Sequence, residues 1–155
     1  SFGKATRRDD TQEFAPAFDR RHTFNVVLQT KGPLNSDMSV RWGYGSPLPY
    51  TEFVGEWRHR VYSADGHEFN DFETEPIASP LLNTERYPAY SRLDFSLMWH
   101  LTAWGGELSP FFQLVNAYNR GNVFFYIFDF TGTPATRQGV SQLPLIPSFG
   151  VGFNF

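Results

Sequence analysis

The feature that most constrains this chain is the stretch Pro147-Ser-Phe-Gly-Val-Gly-Phe-Asn-Phe155. Phe149, Val151, Phe153 and Phe155 recur at every second position, with Ser148, Gly150, Gly152 and Asn154 between them. Successive side chains of a strand point to opposite faces, so this segment predicts a strand with one aromatic face and one small or polar face. A membrane-spanning β-barrel needs such a strand, because its wall meets lipid on one side and a wet interior on the other.

Composition suits that expectation without compelling it. Aromatic residues make up 18% of the 155 residues, 17 of them Phe, yet mean hydropathy is only -0.38. Aromatic richness with low hydropathy fits strands that are apolar on one face and joined by polar connections. It also fits an aromatic-rich soluble β-sandwich. No apolar run approaches the roughly 20 residues of a spanning helix, whereas a spanning strand needs only about 9–11. The formal net charge is -3, with no basic stripe, which argues against nucleic acid as a partner. The absence of cysteine excludes disulfides and thiolate metal sites. The chain begins at Ser1 without a signal peptide, so the expectation is a processed chain or a piece of a longer one.

Residues 1–17 are polar and lack periodicity, which predicts a solvated loop. Residues 18–31 predict a first strand, with Phe24, Val26 and Leu28 alternating against Asn25 and Gln29, and Val27 as the one break. Gly32-Pro-Leu-Asn35 predicts a tight turn. Met38, Val40, Trp42 and Tyr44 then alternate with Ser39, Arg41, Gly43 and Gly45. Residues 46–89 predict a long irregular connection, with residues 53–62 prolonging the second strand, a hairpin tip at Asp65-Gly66, and Pro76, Pro80 and Pro88 breaking the remainder.

Residues 91–101 form the clearest strand. Leu93, Phe95, Leu97, Trp99 and Leu101 share one face, and Arg92, Asp94, Ser96, Met98 and His100 share the other. Trp104-Gly105-Gly106 predicts a short turn, followed by a strand from Leu108 to Asn119 in which Pro110 disturbs the register. Residues 122–130 are expected to carry that strand onward, residues 131–145 to form a loop, and residues 147–155 to form the last strand. Short turns thus alternate with long connections, the asymmetry of outer-membrane barrels, with strands running alternately down and up.

Several motifs now add to one resemblance. Asp19-Arg-Arg-His22, Tyr44-Gly-Ser-Pro-Leu-Pro-Tyr-Thr51, Tyr90-Ser-Arg-Leu-Asp94, Val115-Asn-Ala-Tyr-Asn119 and Gly150-x-x-Phe153-x-Phe155 occur in this order. Together they resemble the C-terminal β-barrel portion of a TonB-dependent outer-membrane receptor. Pro47 stands where the family pattern has Gly, and Ala117-Tyr118 where it has Leu-Phe. The resemblance implies an all-β fold, an antiparallel transmembrane barrel wall comprising about the last five strands of a barrel of about 22, with long extracellular loops. It implies import of a scarce nutrient (siderophore, cobalamin, haem or glycan) across the outer membrane of a Gram-negative bacterium. Implied partners are outer-membrane lipid, the barrel-assembly machinery, and TonB through a missing N-terminal part that also holds the plug. Gly150, Phe153 and Phe155 would form the assembly signal.

The lipid face is expected to carry Phe24, Val26, Leu28, Val40, Trp42, Leu93, Phe95, Leu97, Trp99, Leu101, Phe149, Val151, Phe153 and Phe155. The lumen face should carry Asn25, Gln29, Arg41, Arg92, Asp94, His100, Gln113 and Asn154. Tyr50, Trp57, Tyr62 and Tyr87 in the long connections are candidate ligand-stacking residues, set against simple self-packing of the loop. His59, His67, Glu68, Asp71, Glu73 and Glu75 read as a solvated acidic stretch without metal-ligand spacing, so no metal or cofactor is expected. Ser91, Asp94 and His100 are too far apart along a strand for a catalytic group, and no Gly-x-Ser-x-Gly occurs, so no enzyme is expected. The rivals are a soluble β-sandwich that binds glycans and a small complete barrel, which would need at least about eight strands.

Overall fold

A computed structural model of the chain describes residues 1–63 and 68–155. Every regular element in them is a β-strand. These are β1 (Arg7–Arg8), β2 (Glu13–Phe14), β3 (Thr23–Gly32), β4 (Ser36–Gly45), β5 (Pro49–Tyr50), β6 (Phe53–Ser63) and β7 (Glu68–Ala78). There follow β8 (Glu85–Arg86), β9 (Tyr90–Trp99), β10 (Leu101–Ala103), β11 (Gly106–Val115), β12 (Val123–Asp129), β13 (Thr136–Ser141) and β14 (Ile146–Asn154).

The frame is one antiparallel sheet in the order β3, β4, β9, β11, β14, with β10 continuing β9 along β11. Its register places the alternating residues of every strand on common faces. Val26 lies opposite Trp42, which lies opposite Leu93. Leu28, Val40, Phe95 and Leu114 form the next row. Met38, Leu97, Phe112 and Phe149 form another, and Leu101, Leu108 and Phe153 lie toward the short turns. Each residue expected on the apolar face is there except Phe155, which lies beyond the end of β14. The opposite face carries Gln29, Ser39, Ser96, Gln113 and Ser148 in one row and Arg41 opposite Asp94 in another.

No second layer covers the apolar face among the described residues. Phe149 is 84% exposed, and Leu28 and Val151 are each 65% exposed. The chain exposes 11244 Å², whereas a compact monomer of 17.8 kDa exposes about 8,000 Å². Besides the neighbouring Pro49 and Tyr50, the buried side chains of note among those described are polar: Asp19, Ser36, Ser46, Ser91, Asn116 and Asn122. The sheet is open: β3 pairs within it only with β4, and β14 only with β11. The described residues form no closed barrel.

The connections differ at the two ends. Leu34 (φ 57°) and Asn35 (φ 53°) form the turn after β3, and Trp104 (φ 49°) with Gly105 (φ 79°) forms the two-residue turn after β10. Positive φ at both central residues matches the strand twist in a two-residue hairpin, and Gly105 adopts it without steric cost. The first turn is tied to the start of β10, since the His100 amide donates to the Asn35 carbonyl and the Asn35 side chain donates to the His100 carbonyl. Pro110 lies within β11, and the register with β14 runs through it unbroken. On the other side, the ladder is interrupted between β9 and β10, where a proline without an N–H has no bond to offer.

At the far end the long connections are more ordered than the sequence predicts. Residues 46–89 are not irregular: β6 and β7 form a long two-stranded ribbon. Its described side chains meet water on both faces, so they show no dry stripe for periodicity to reveal. Pro76 sits within β7 because each strand of a two-stranded ribbon has a free edge. Residues 122–130 do not prolong β11. They turn away at Asn116–Asn119 and pair as β12 with β13, inside the segment expected to be a loop. The predicted tip Asp65-Gly66, and His67, lie outside the described residues, as do the side chains of Glu68, Phe69, Asp71 and Phe72.

The first 22 residues are mostly solvent-exposed, as expected, yet they are tied down by hydrogen bonds. Gln12 exchanges hydrogen bonds with the Pro80 carbonyl and the Leu82 amide, and the Asn83 side chain donates to the Ala15 carbonyl. Residues 1–3 pair with residues 21–23 beside the start of β3. Asp19 anchors this segment. It accepts from the Ala5 amide at 2.9 Å and from Arg86 at 3.2 Å, with Arg21 at 3.6 Å. The Ala5 amide, then the two guanidinium groups, hold its carboxyl below the ordinary Asp range against the opposing effect of burial.

A carboxyl whose folded pKa is depressed contributes stability above its unfolded pKa, near 3.9, and loses it as pH falls through the folded value. Asp19→Asn is therefore expected to loosen residues 1–22 at pH 7, and the wild type to follow only below about pH 4. Hydrogen exchange at the Ala5 amide checks this. Equal protection in both proteins at pH 7 would refute the anchor.

Candidate ligand-binding site

The long-connection end gathers aromatic side chains from three segments. β5 pairs with β8, which fixes Tyr50, and the Tyr87 amide bonds the Leu48 carbonyl at 2.9 Å, which fixes Tyr87 beside it. Tyr126 enters from β12, opposite Gly139 of β13. A Cβ at Gly139 would stand 3.1 Å from Val123 and 3.4 Å from the Tyr126 ring, so the glycine leaves room for both. The rings of Tyr50 and Tyr87 are 4.4 Å apart, and each lies 5.4 Å from Tyr126.

Arg137 of β13 locks this cluster. It donates to the Tyr50 hydroxyl at 2.7 Å, lies over the Tyr126 ring at 5.1 Å, and approaches Glu52 at 3.5 Å. Burial pushes both the Tyr50 and Tyr87 phenols up, so they remain neutral donors at physiological pH. Beside the cluster runs a groove of about 290 Å³ lined by Phe53, Glu56, Tyr126, Phe128 and Phe130. Phe53 meets Phe128 edge-on at 5.5 Å, and Phe128 stacks on Phe130 at 6.2 Å. Rigid rings with hydroxyls and a guanidinium can stack on a flat ligand and hydrogen-bond its rim.

Of the four residues expected to meet ligand, Tyr50 and Tyr87 come together. Trp57 and Tyr62 stand exposed on β6, with Trp57 beside His59 at 5.2 Å. His59 lies opposite Glu73 on β7, and no three metal-ligating side chains converge among the described residues. Tyr126 and Arg137 are not singled out by the sequence. Tyr126 sits in an apolar run without clean alternation, and Arg137 lies in a stretch rich in turn residues.

Arg41, Arg92, Asp94 and His100 share the polar face. Arg92 pairs with Asp94 at 2.9 Å, and Asp94 also accepts the Asn116 amide at 3.1 Å. His100 reaches Glu107 of β11 with Nδ1 at 2.7 Å and Asp37 of β4 with Nε2 at 3.0 Å, while Lys31 of β3 holds Asp37 at 2.6 Å. Asp94 and His100 thus have separate partners. In β14, Gly150 lies opposite Phe111, whose ring would sit 2.7 Å from a Cβ there. Phe153 contacts Trp104 at 6.4 Å and Phe155 at 4.9 Å.

Asn116 and Asn122 join the sheet to this site. Asn122 exchanges two hydrogen bonds with the backbone of Ser91, replacing a strand neighbour where β9 begins. Asn116 donates to the Arg120 and Leu143 carbonyls and accepts from the Arg120 amide. Comparison of the chain with models of known protein families, with curated proteins and with solved structures found no match.

Proposed function

We propose that this chain is part of the barrel wall of a TonB-dependent outer-membrane receptor that imports a scarce nutrient. The observation that carries this reading is the uncovered apolar face. Five antiparallel strands place their aromatic and aliphatic side chains on one side, and none of the described residues forms a layer over them. In water such a face is far larger than the apolar patches monomers expose, whereas in a bilayer it is covered by lipid. The polar opposite face and the short turns gathered at one end support the same reading. So does the motif order from Asp19 to Phe155, which resembles the family. A soluble sandwich would need a second sheet on the apolar face.

On this reading the short turns face the periplasm and the aromatic cluster faces outward. The tyrosine stack of Tyr50, Tyr87 and Tyr126 contributes to ligand capture, and the chain performs no covalent chemistry. The two free edges of the sheet are continued by further wall strands, because unpaired backbone groups in hydrocarbon cost several kcal/mol each.

The full-length protein is expected in the outer-membrane fraction, resistant to carbonate extraction, and heavier than 17.8 kDa by several-fold. Its folded form should migrate faster than the boiled form on electrophoresis. Recovery in the soluble fraction at 17.8 kDa would overturn the proposal.

A further inference from the structure

Among the described residues, Arg20 is a guanidinium with no carboxylate at ion-pair distance. Its neighbours Arg21 and Arg86 share Asp19, and Arg137 approaches Glu52. Among the described residues no carboxylate pairs with Arg20, and its buried Nε has no hydrogen-bond partner. The side chain lies against Gly45, where a Cβ would come within 2.5 Å of it, and over the Tyr90 ring at 5.8 Å. The ring face attracts the charge but offers no acceptor to Nε.

Arg20 lines a cavity of about 170 Å³ together with Tyr87, Tyr90, Phe124 and Gln142, and it is the cavity's only charged residue. Gly45 and Tyr90 are paired on the polar face of the sheet, and Tyr87 also belongs to the tyrosine stack. The cavity therefore lies where the wall's polar face meets the candidate ligand-binding site.

We propose that this cavity is a carboxylate-binding subsite. A guanidinium is charged at any physiological pH, and its planar fork matches the two oxygens of a carboxylate. A carboxylate on the terminal guanidinium nitrogens neutralises a charge that no described carboxylate balances. The surrounding rings suit a flat apolar body behind the carboxylate, and Gln142 adds an amide to the cavity lining. The class of ligand is thus a small carboxylate on a flat apolar body. The inference rests on the Arg20 cavity and not on the membrane reading.

The test uses the full-length protein in detergent micelles, with benzoate as the probe and benzamide as its neutral isostere, each titrated by calorimetry. Benzoate is expected to bind at least tenfold more tightly than benzamide. Arg20→Gln should weaken benzoate at least tenfold and leave benzamide unchanged, and Arg20→Lys, which keeps charge without the fork, should fall between. Failure of benzoate to bind, equal binding of benzamide, or benzoate affinity unchanged in Arg20→Gln would overturn the subsite. The comparison of the two probes on the wild type needs no variant to fold. A protein that proves soluble would overturn the wall proposal and leave this comparison intact.

Discussion

Replacing Leu97 by arginine is expected to destabilise the sheet by about 2–4 kcal/mol in a bilayer, the cost of a cationic side chain on the lipid face near the membrane midplane. Leu97 sits in the middle of the apolar row of β9, between Met38 and Phe112. Its neighbour Ser96 points to the opposite face, between Ser39 and Gln113. Ser96→Arg should therefore change stability by less than about 1 kcal/mol, because lumen positions tolerate charge. Urea midpoints of the full-length protein in lipid vesicles measure both. If the two substitutions cost the same, or if Leu97→Arg is silent, the apolar face does not meet lipid. Two adjacent residues of one strand make this a strong comparison, since backbone and depth barely change between them.

Asn116→Ala is expected to be the most damaging change outside the apolar face. Asn116 is 0% exposed and its side chain makes three hydrogen bonds, to the Arg120 carbonyl, the Arg120 amide and the Leu143 carbonyl. Truncation leaves these groups unpaired, at about 1–3 kcal/mol for each that stays buried. Its φ of 55° is left-handed, which costs alanine roughly 1–2 kcal/mol more than glycine. We expect a loss of about 3–5 kcal/mol from the turn between β11 and β12, and about 1 kcal/mol less for Asn116→Gly. Hydrogen exchange of residues 116–122 and 143–145 reads this directly. Equal effects of Ala and Gly would mean that the backbone conformation carries no strain. Unchanged protection in both would mean that the asparagine does not hold the turn.

The Asn116 expectation also gives the resemblance some physical content. Asn116, Asn119 and Asn122 all act on backbone. Asn119 accepts the Leu145 amide at 3.1 Å, and Asn122 pairs with Ser91. Asparagine tolerates positive φ and carries both a donor and an acceptor, so it can end a strand and replace the lost partners at once. The motif around Asn116 is thus a device for turning the chain at the sheet's end, with no chemistry of its own.

The five strands of the sheet were legible in the sequence because each is apolar on one face and polar on the other. Alternation over Phe24–Leu28, Met38–Tyr44, Leu93–Leu101 and Phe149–Phe155 is the trace of that asymmetry, and it determined which residues share a face before any pairing was known. The short turns were legible for a local reason too, since Gly-Pro-Leu-Asn and Trp-Gly-Gly carry their own backbone preferences. The β6–β7 ribbon and the β12–β13 hairpin were not legible. Both of their faces are solvent-exposed or aromatic, so period two leaves no mark, and only pairing with the partner strand defines them. The sequence offered Tyr50 and Tyr87, and only the tertiary structure joined them to Tyr126 and Arg137. Tyr50, Tyr87, Tyr126 and Arg137 lie up to 87 positions apart, and Arg20 meets Tyr87 and Gln142 only because three separate segments converge at one end of the sheet. Periodicity reports the environment of a strand, and long-range convergence has no local signature for a single sequence to carry.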